Sequence, residues 1–560
     1  KKGDFPDNLL PSIINNKKRI HYQRLESNQA RADMFVDAFI NEVDWKQEVG
    51  KIDRISKITK QEIVDFANRF FTDGYVAVYK RQGVDSTQKK IDKPAITPIP
   101  TNRDQMSDFV RDIQNSKVEP IQPRFVNFEK DMVSGRTKGG LPLYYVKNNE
   151  NGLFELTFRY EFGHCADNRY DVATDYLDYI GTDKLSAPEV KQKFYELACD
   201  YYVSVSADVI SVHLMGLSEN MQPALAMLED LLHNLKADRE AYDQLVGLTL
   251  KQRDDAKKDQ RRCFSALYNY STYGPRNQGR DVMSEQQLRN TDPEQLTDLL
   301  RNLSNYQHSV LYYGPMSQQE VSALITANHT TPRQPAAVPM NRPYVLQPAT
   351  KDWIWIAPYD AKNIYMRMYH NEGRAWNADE AATMALFNEY FGGGMNGIVF
   401  QELREARGLA YNAYALYSRP TKKGYKEHFF THIITQNDKM MDCIRQFHSI
   451  LNDMPASENA FLIAKDGLTK QLASLRTTKM GIINAYFAAK RLGIDYDLNE
   501  KIYSDLPQLT LQDIVNFEKQ NMSGKHYRYI ILGDEKELDM DALRQLAPVR
   551  HLTTEEVFGY

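Results

Sequence analysis

The 560-residue sequence predicts an α+β fold of repeated mixed sheets with helices packed on them, and three observations predict it. An ordered set of strands, glycines and helices occurs twice at an offset of about 210 residues. A capped helix leading into a strand occurs three times. Proline-rich stretches separate the copies, as connectors between folded units do.

The repeat can be followed element by element. Residues 154–160 (FELTFRY) and 364–370 (IYMRMYH) alternate apolar and polar side chains at the period of a half-buried strand, and each is followed by a glycine, Gly163 and Gly373. The offset is 210 in both cases (364 − 154 and 373 − 163). Helical stretches come next, 170–180 and 378–391, then glycine again, Gly181 and Gly392, then second helices at 190–197 and 398–404. Two strands follow in each copy, 201–207 with 209–217 and 411–418 with 428–435. An amphipathic helix closes each set, with Leu225, Leu228 and Leu232 in one copy and Met440, Ile444, Phe447 and Leu451 in the other.

Capping boxes mark the ends of the units. Thr59, Thr291 and Thr510 each precede an acid by three residues, Glu62, Glu294 and Asp513, so a hydroxyl caps the helix while the carboxylate returns the bond. Strands are expected after each, at 75–79, 308–313 and 527–532. Only about 58 residues precede the first cap, too few for a full unit, so the chain is expected to begin inside a domain whose N-terminal part is missing. The expected partition is 1–85, the end of a truncated domain; 86–118, a proline-rich linker; 119–325, a full unit; 326–345, a second linker; and 346–560, a second full unit.

Composition excludes little. A net charge of −4 gives no general attraction to nucleic acid, and no apolar run approaches the roughly 20 residues that span a bilayer. Cys165, Cys199, Cys263 and Cys443 are widely spaced and read as buried free thiols.

The chemistry-bearing stretch is 391–411. A helix closed by Gly408 brings Arg404 and Tyr411 to one helix-to-strand corner, so a guanidinium and a phenol, both strong donors, meet there. Gly392, Gly393 and Gly394 precede it. Gly392, Gly394 and Gly397 also match the dinucleotide-binding glycine pattern, but that pattern follows a strand and this one follows a helix, so a tight turn with close backbone approach is expected instead. Taken alone, Arg404 reads as a solvated helix arginine and Tyr411 as a sheet residue at the rim.

Together these residues resemble the Arg/Tyr substrate motif in the C-terminal half of the pitrilysin/insulin-degrading-enzyme (insulinase) family of zinc metallopeptidases. The resemblance covers nearly the whole chain and implies half of a clamshell closed around an unfolded peptide. It implies substrate binding by Arg404, Tyr411, Gly392, Gly393 and Gly394, no catalytic residue in this chain, and zinc held by an absent N-terminal domain. The partners it implies are a peptide substrate and the missing N-terminal half. Similarity to bacterial members points to the periplasm or cell envelope, although the residues themselves fix no compartment. The rival reading is a non-catalytic scaffold or partner subunit of the same family.

The family's zinc motif is His-x-x-Glu-His, and none of the 12 histidines stands in one. The equivalent position of the first full unit, 172–176, has no histidine, which leaves Asp175 and Asp178 as solvated helix acids. His164 and Cys165 are adjacent without further spaced ligands. His428 and His432 fall on a strand, roughly 13 Å apart, too far to chelate one ion. The purified chain is therefore expected to hold no stoichiometric zinc after dialysis; metal analysis giving one zinc per chain would overturn this.

Overall fold

The computed structural model describes residues 1–83, 87 and 107–560. Two six-stranded sheets carry the fold. The first contains β1 (Val133–Arg136), β2 (Pro142–Lys147), β3 (Leu153–Tyr160), β4 (Cys199–Val205), β5 (Ile210–Leu217) and β6 (Ser309–Gly314), in the order β1-β2-β6-β3-β5-β4. The second contains β7 (Trp353–Pro358), β8 (Asn363–His370), β9 (Asn412–Ser418), β10 (His428–Gln436), β11 (Arg528–Gly533) and β12 (Val549–His551), in the order β12-β7-β11-β8-β10-β9. Five strands have the same order in both, and β2–β6 and β7–β11 are the parallel pairs of those fives. The edge strands β1 and β12 break the match, since one precedes its set and the other follows it. Mixed sheets with helices on them make the fold α+β, as the alternating segments predict.

Alternation along each strand assigns its faces. In β3, Leu156, Phe158 and Tyr160 are buried in a core with Tyr176, Leu228 and Leu300 from helices Arg169–Leu177, Met221–His233 and Pro293–Arg301. Each such side chain contributes about 1.5–3 kcal/mol of transfer free energy. In β8, Ile364, Met366 and Met368 are the equivalents, packed against Phe387, Ile444 and Phe517.

The opposite faces are covered by exchange. Helix Gln260–Tyr273, which belongs in sequence to the first unit, lays Phe264 and Leu267 on Tyr369, Ile530 and Leu532 of the second sheet. Helix Met480–Leu492, from the second unit, lays Met480, Ile483 and Phe487 on Val146, Leu311 and Tyr313 of the first. Each sheet is therefore completed by the other unit's helix.

Helices Leu9–Leu25, Asn28–Ile40, Trp45–Val49, Lys51–Ile55 and Lys60–Phe70 form the N-terminal part. The first docks on the first sheet's unit, where Asn16 Nδ2 donates to the Tyr195 carbonyl at 2.7 Å and Arg19 pairs with Asp200 at 2.6 Å. Thr59 caps the last of these helices in a full capping box, and Thr510 does the same for Leu511–Asn521.

Several expectations need correction. Residues 75–79 form no strand: they are extended and exposed, with Val76 at 90% and Val78 at 89%. Strand formation requires a pairing partner, and among the described residues none lies beside them. Thr291 is not a cap. The cap is Asp292, whose carboxylate accepts from the Glu294 amide at 3.1 Å ahead of Pro293 at the first helical position. Of the expected linker 86–118, residues 86 and 88–106 lie outside the described residues, and the rest includes a helix, Asp108–Asn115. Helix Gln318–Asn328 runs into the expected linker 326–345. That connector is tied down: Tyr306 bridges to Ala336, and Arg276 donates to the carbonyls of Arg342 at 2.7 Å and Pro343 at 3.1 Å. All four cysteines are buried and free.

Glu518, on helix Leu511–Asn521, is 1% exposed and its Oε1 has no hydrogen-bond partner among the described residues. Burial raises its pKa to about 7, so the folded state keeps a proton that the unfolded chain releases near 4.5. This group's favourable contribution is complete below pH 4.5 and is lost as pH rises through 7. Glu518→Gln is expected to leave stability nearly unchanged at pH 4.5 and to raise it by roughly 2–3 kcal/mol at pH 8. Denaturant titrations at the two pH values check this.

Candidate functional site

The glycine corner of the second unit is built from two π-helical turns. Helix Ala381–Phe387 widens into a π turn at Asn388–Gly392, and the short helix Ile398–Phe400 widens into another at Gln401–Glu405. Both break the single helices expected at 378–391 and 398–404. Gly392 is buried against the edge of β9, where a Cβ would stand 1.9 Å from the Ala415 carbonyl oxygen. Asn388 completes the seal, its Nδ2 donating to the Tyr417 carbonyl at 3.0 Å while its Oδ1 accepts from the Tyr417 amide at 2.8 Å. Gly393 is half-buried; Gly394 is exposed and left-handed at φ +65°.

Gly408, at φ +57°, closes the second π turn, with its amide donating to the Arg404 carbonyl at 3.0 Å and the Leu409 amide to Leu403 at 2.8 Å. The chain then enters β9. The Tyr411 amide donates to the Ile434 carbonyl at 2.9 Å, fixing the backbone and leaving the ring 80% exposed. The Arg404 guanidinium lies 4.8 Å from the centre of the Phe400 ring and 5.9 Å from that of Tyr411, within cation–π range. Arg404 makes no ion pair among the described residues, whereas its neighbour Arg407 is paired with Glu402. The two predicted donors thus share one corner, at the mouth of a cavity of about 400 Å³.

Asn363, Gln436 and Lys439 line that cavity as well. Lys439 Nζ donates to the Gly408 carbonyl at 3.0 Å and so holds the turn that presents Tyr411. None of the three has a local sequence signal. They arrive through the β8–β10 register, which pairs Asn363 with Gln436.

Residues 290–468 match the family model described as the peptidase M16 inactive domain, and this span includes the whole glycine and Arg404/Tyr411 corner. Over that span, 179 of the 560 residues, the chain is similar to M16 peptidases. The chain is similar in structure to a solved peptidase M16 inactive domain from Pseudomonas fluorescens, at 16% identity and a TM-score of 0.57, covering 72% of this chain and 98% of that one. A protease from Helicobacter pylori gives 13% and 0.55, covering 74% and 100%. The periplasmic protease PqqL from Escherichia coli gives 11% and 0.58; here this chain is covered over 91% of its length and spans 58% of the other. At these identities the likeness is one of fold. No curated protein matches by sequence.

Among the described residues, no group of three or more His, Cys, Asp or Glu side chains is placed to hold a metal ion, so the donor set does not fit zinc. His428 and His432 do share one face of β10, but Arg367 Nε approaches His432 Nδ1 at 3.4 Å, and burial together with that positive charge pushes both histidines down to about 4. A cation would meet an arginine there. His164 Nδ1 is engaged by Asp171, and the Cys165 thiol faces Asn341 Oδ1 at 3.6 Å, so this adjacent pair is divided between two partners. Asp175 and Asp178 are exposed.

Gly392→Ala is expected to cost about 3 kcal/mol, because the added methyl meets backbone that cannot swing away. Gly394→Ala is expected to cost about 1 kcal/mol, since open space surrounds it and only the left-handed backbone resists. Paired calorimetric melts with the smaller shift in Gly392→Ala would contradict the close approach to β9.

Proposed function

We propose that this chain is the C-terminal, substrate-binding half of a zinc-dependent metalloendopeptidase that degrades peptides, with zinc and the general base supplied by an N-terminal half outside these 560 residues. The observation that carries the reading is the pairing of Arg404 and Tyr411 at the cavity mouth, with Tyr411 exposed and Arg404 without an ion pair among the described residues. An extended peptide presents carbonyl oxygens that lose water on binding and need donors in exchange. Arg404 offers a planar fork of N–H groups and Tyr411 one O–H, and neither proton need leave its side chain for the peptide to be held and its carbonyls oriented. Gly393 and Gly394 keep the neighbouring backbone free of side chains that would block the approach. We further propose that 119–325 and 346–560 are the family's third and fourth domains and that 1–85 ends its second.

The test is peptide cleavage by the protein joined to its N-terminal half. Arg404→Ala and Tyr411→Phe are each expected to lower kcat/KM by about a hundredfold, the size of one lost oxyanion-type donor, with zinc content and thermal midpoint unchanged. Folding is spared because neither side chain leaves a buried partner unsatisfied. Wild-type turnover in both variants would move the reading to a non-catalytic scaffold.

A further inference from the structure

The repeat allows one sheet to be read against the other, rung by rung. In the first sheet Leu311, Thr157, His213 and Tyr202 lie side by side across β6, β3, β5 and β4. The same rung in the second sheet is Ile530, Arg367, His432 and Tyr414 across β11, β8, β10 and β9: Arg367 pairs with Ile530, His432 pairs with Tyr414, and Arg367 Nε meets His432. Both rungs keep a histidine against a tyrosine, with ring centres 4.2 Å apart in the first sheet and 5.0 Å in the second. The change of chemistry along the rung is at the position beside the histidine, Thr157 against Arg367. The second sheet fills the middle of its rung with the guanidinium of Arg367, 4.1 Å from the Tyr268 ring centre and 4.7 Å from that of Phe430, with Nη2 3.4 Å from the Tyr414 hydroxyl. The first sheet has Thr157 at that position and Ser211 in place of Phe430, and a cavity of about 360 Å³ opens over them.

Charge points the same way. Three charged residues line this cavity, and two of them are already neutralised: Arg159 is bound to Glu161 at 2.7 Å, and Arg491 to Asp208 at 2.6 Å. The third is Glu155, half-buried, with no hydrogen bond or ion pair among the described residues. Its counterpart in the other sheet is Tyr365, on the rung next to Arg367. The first sheet thus has a carboxylate at 155 where the second has Tyr365, and at 157 a threonine where the second has the Arg367 guanidinium. Burial and the charge of Glu26 hold the Glu155 carboxyl above its ordinary range, against the opposing pull of Lys479, which is itself paired with Glu26 and Glu150. The free edge strand β4 borders the cavity through Tyr202 and Ser204, so an extended chain beside it would direct alternate side chains inward.

We propose that this cavity is a binding pocket for the cationic side chain of an extended peptide, arginine above all, with Glu155 as its counter-ion and the Tyr202–His213 pair as its wall. The proposal rests on the peptide-binding reading above and gives it a substrate class: peptides carrying a basic residue, gripped on the first sheet, away from Arg404 and Tyr411.

The experiment uses this chain by itself and reads no cleavage, so its outcome is separate from that of the Arg404 and Tyr411 variants. A dansyl-labelled Ac-Ala-Val-Arg-Val-Ala amide and its citrulline twin, which has the same shape without the charge, are titrated by fluorescence anisotropy at low salt. The arginine peptide is expected to bind about tenfold more tightly. Glu155→Gln should reduce that preference to less than about twofold. Thr157→Arg, which gives the first sheet the second sheet's own guanidinium, should abolish arginine-peptide binding while leaving the fold intact by thermal melt. Equal affinity of the two peptides for the wild-type chain, or a preference that survives Glu155→Gln, overturns the pocket. If Thr157→Arg fails to fold, the Glu155→Gln comparison still decides.

Discussion

Everything in this chain depends on the exchange of two helices. A sheet with one face on helices and the other in water can stand by itself only when the second face is polar, and neither sheet here meets that condition. Val146, Leu311 and Tyr313 form an apolar strip on the first, and Tyr369, Ile530 and Leu532 one on the second. Each strip is covered by a helix that belongs, in sequence, to the other unit. The two units therefore hold a fixed relation, and the cavity on the first sheet is walled in part by the covering helix of the second unit, through Met480, Asn484 and Arg491. The Met480–Leu492 helix packs its apolar side chains on β2 and β6, reaches β3 only through Phe487 against Arg159, and walls one side of the cavity over β3, β5 and β4, where the polar side chains Glu155, Thr157 and His213 lie.

Much of this was legible in the sequence because it rests on short-range periodicity. The strand expected at 154–160 is β3 at Leu153–Tyr160, and the one expected at 428–435 is β10 at His428–Gln436, since alternation reports a half-buried strand directly. Gly408 was readable as a left-handed helix end for the same local reason. Arg404 and Tyr411 were readable as neighbours because seven residues and one turn join them. The glycine and Arg/Tyr segment also carried the family resemblance.

What stayed hidden needs the third dimension. The strand expected at 75–79 has the right composition, but composition does not supply a neighbour to pair with. Thr291 has the right spacing to an acid, yet Pro293 and Asp292 build a tighter cap one residue later. The π turns at Asn388–Gly392 and Gln401–Glu405 hold sequences that read as ordinary helix. Lys439 and Asn363 come to the Arg404 corner through sheet register over more than 75 residues (439 − 363 = 76), a distance that no pattern in the chain spans. The helix exchange was invisible too, because an amphipathic helix records that it has an apolar face and not which sheet will receive it.

The tied connector between the units, with Arg276 gripping the carbonyls of Arg342 and Pro343, sits at the point where a gene might be thought divisible. The exchange makes that cut costly. Each product would keep an amphipathic helix with no sheet to cover and a sheet with a bare greasy strip, so each would be a sticky orphan until it met the other. Two such orphans, being near copies of one pattern, would also be able to satisfy themselves in identical pairs by trading the same helix. The present chain then has the form of a domain-swapped homodimer whose two members have been joined end to end and have since diverged, one keeping its arginine at the centre of the rung and the other leaving that place open.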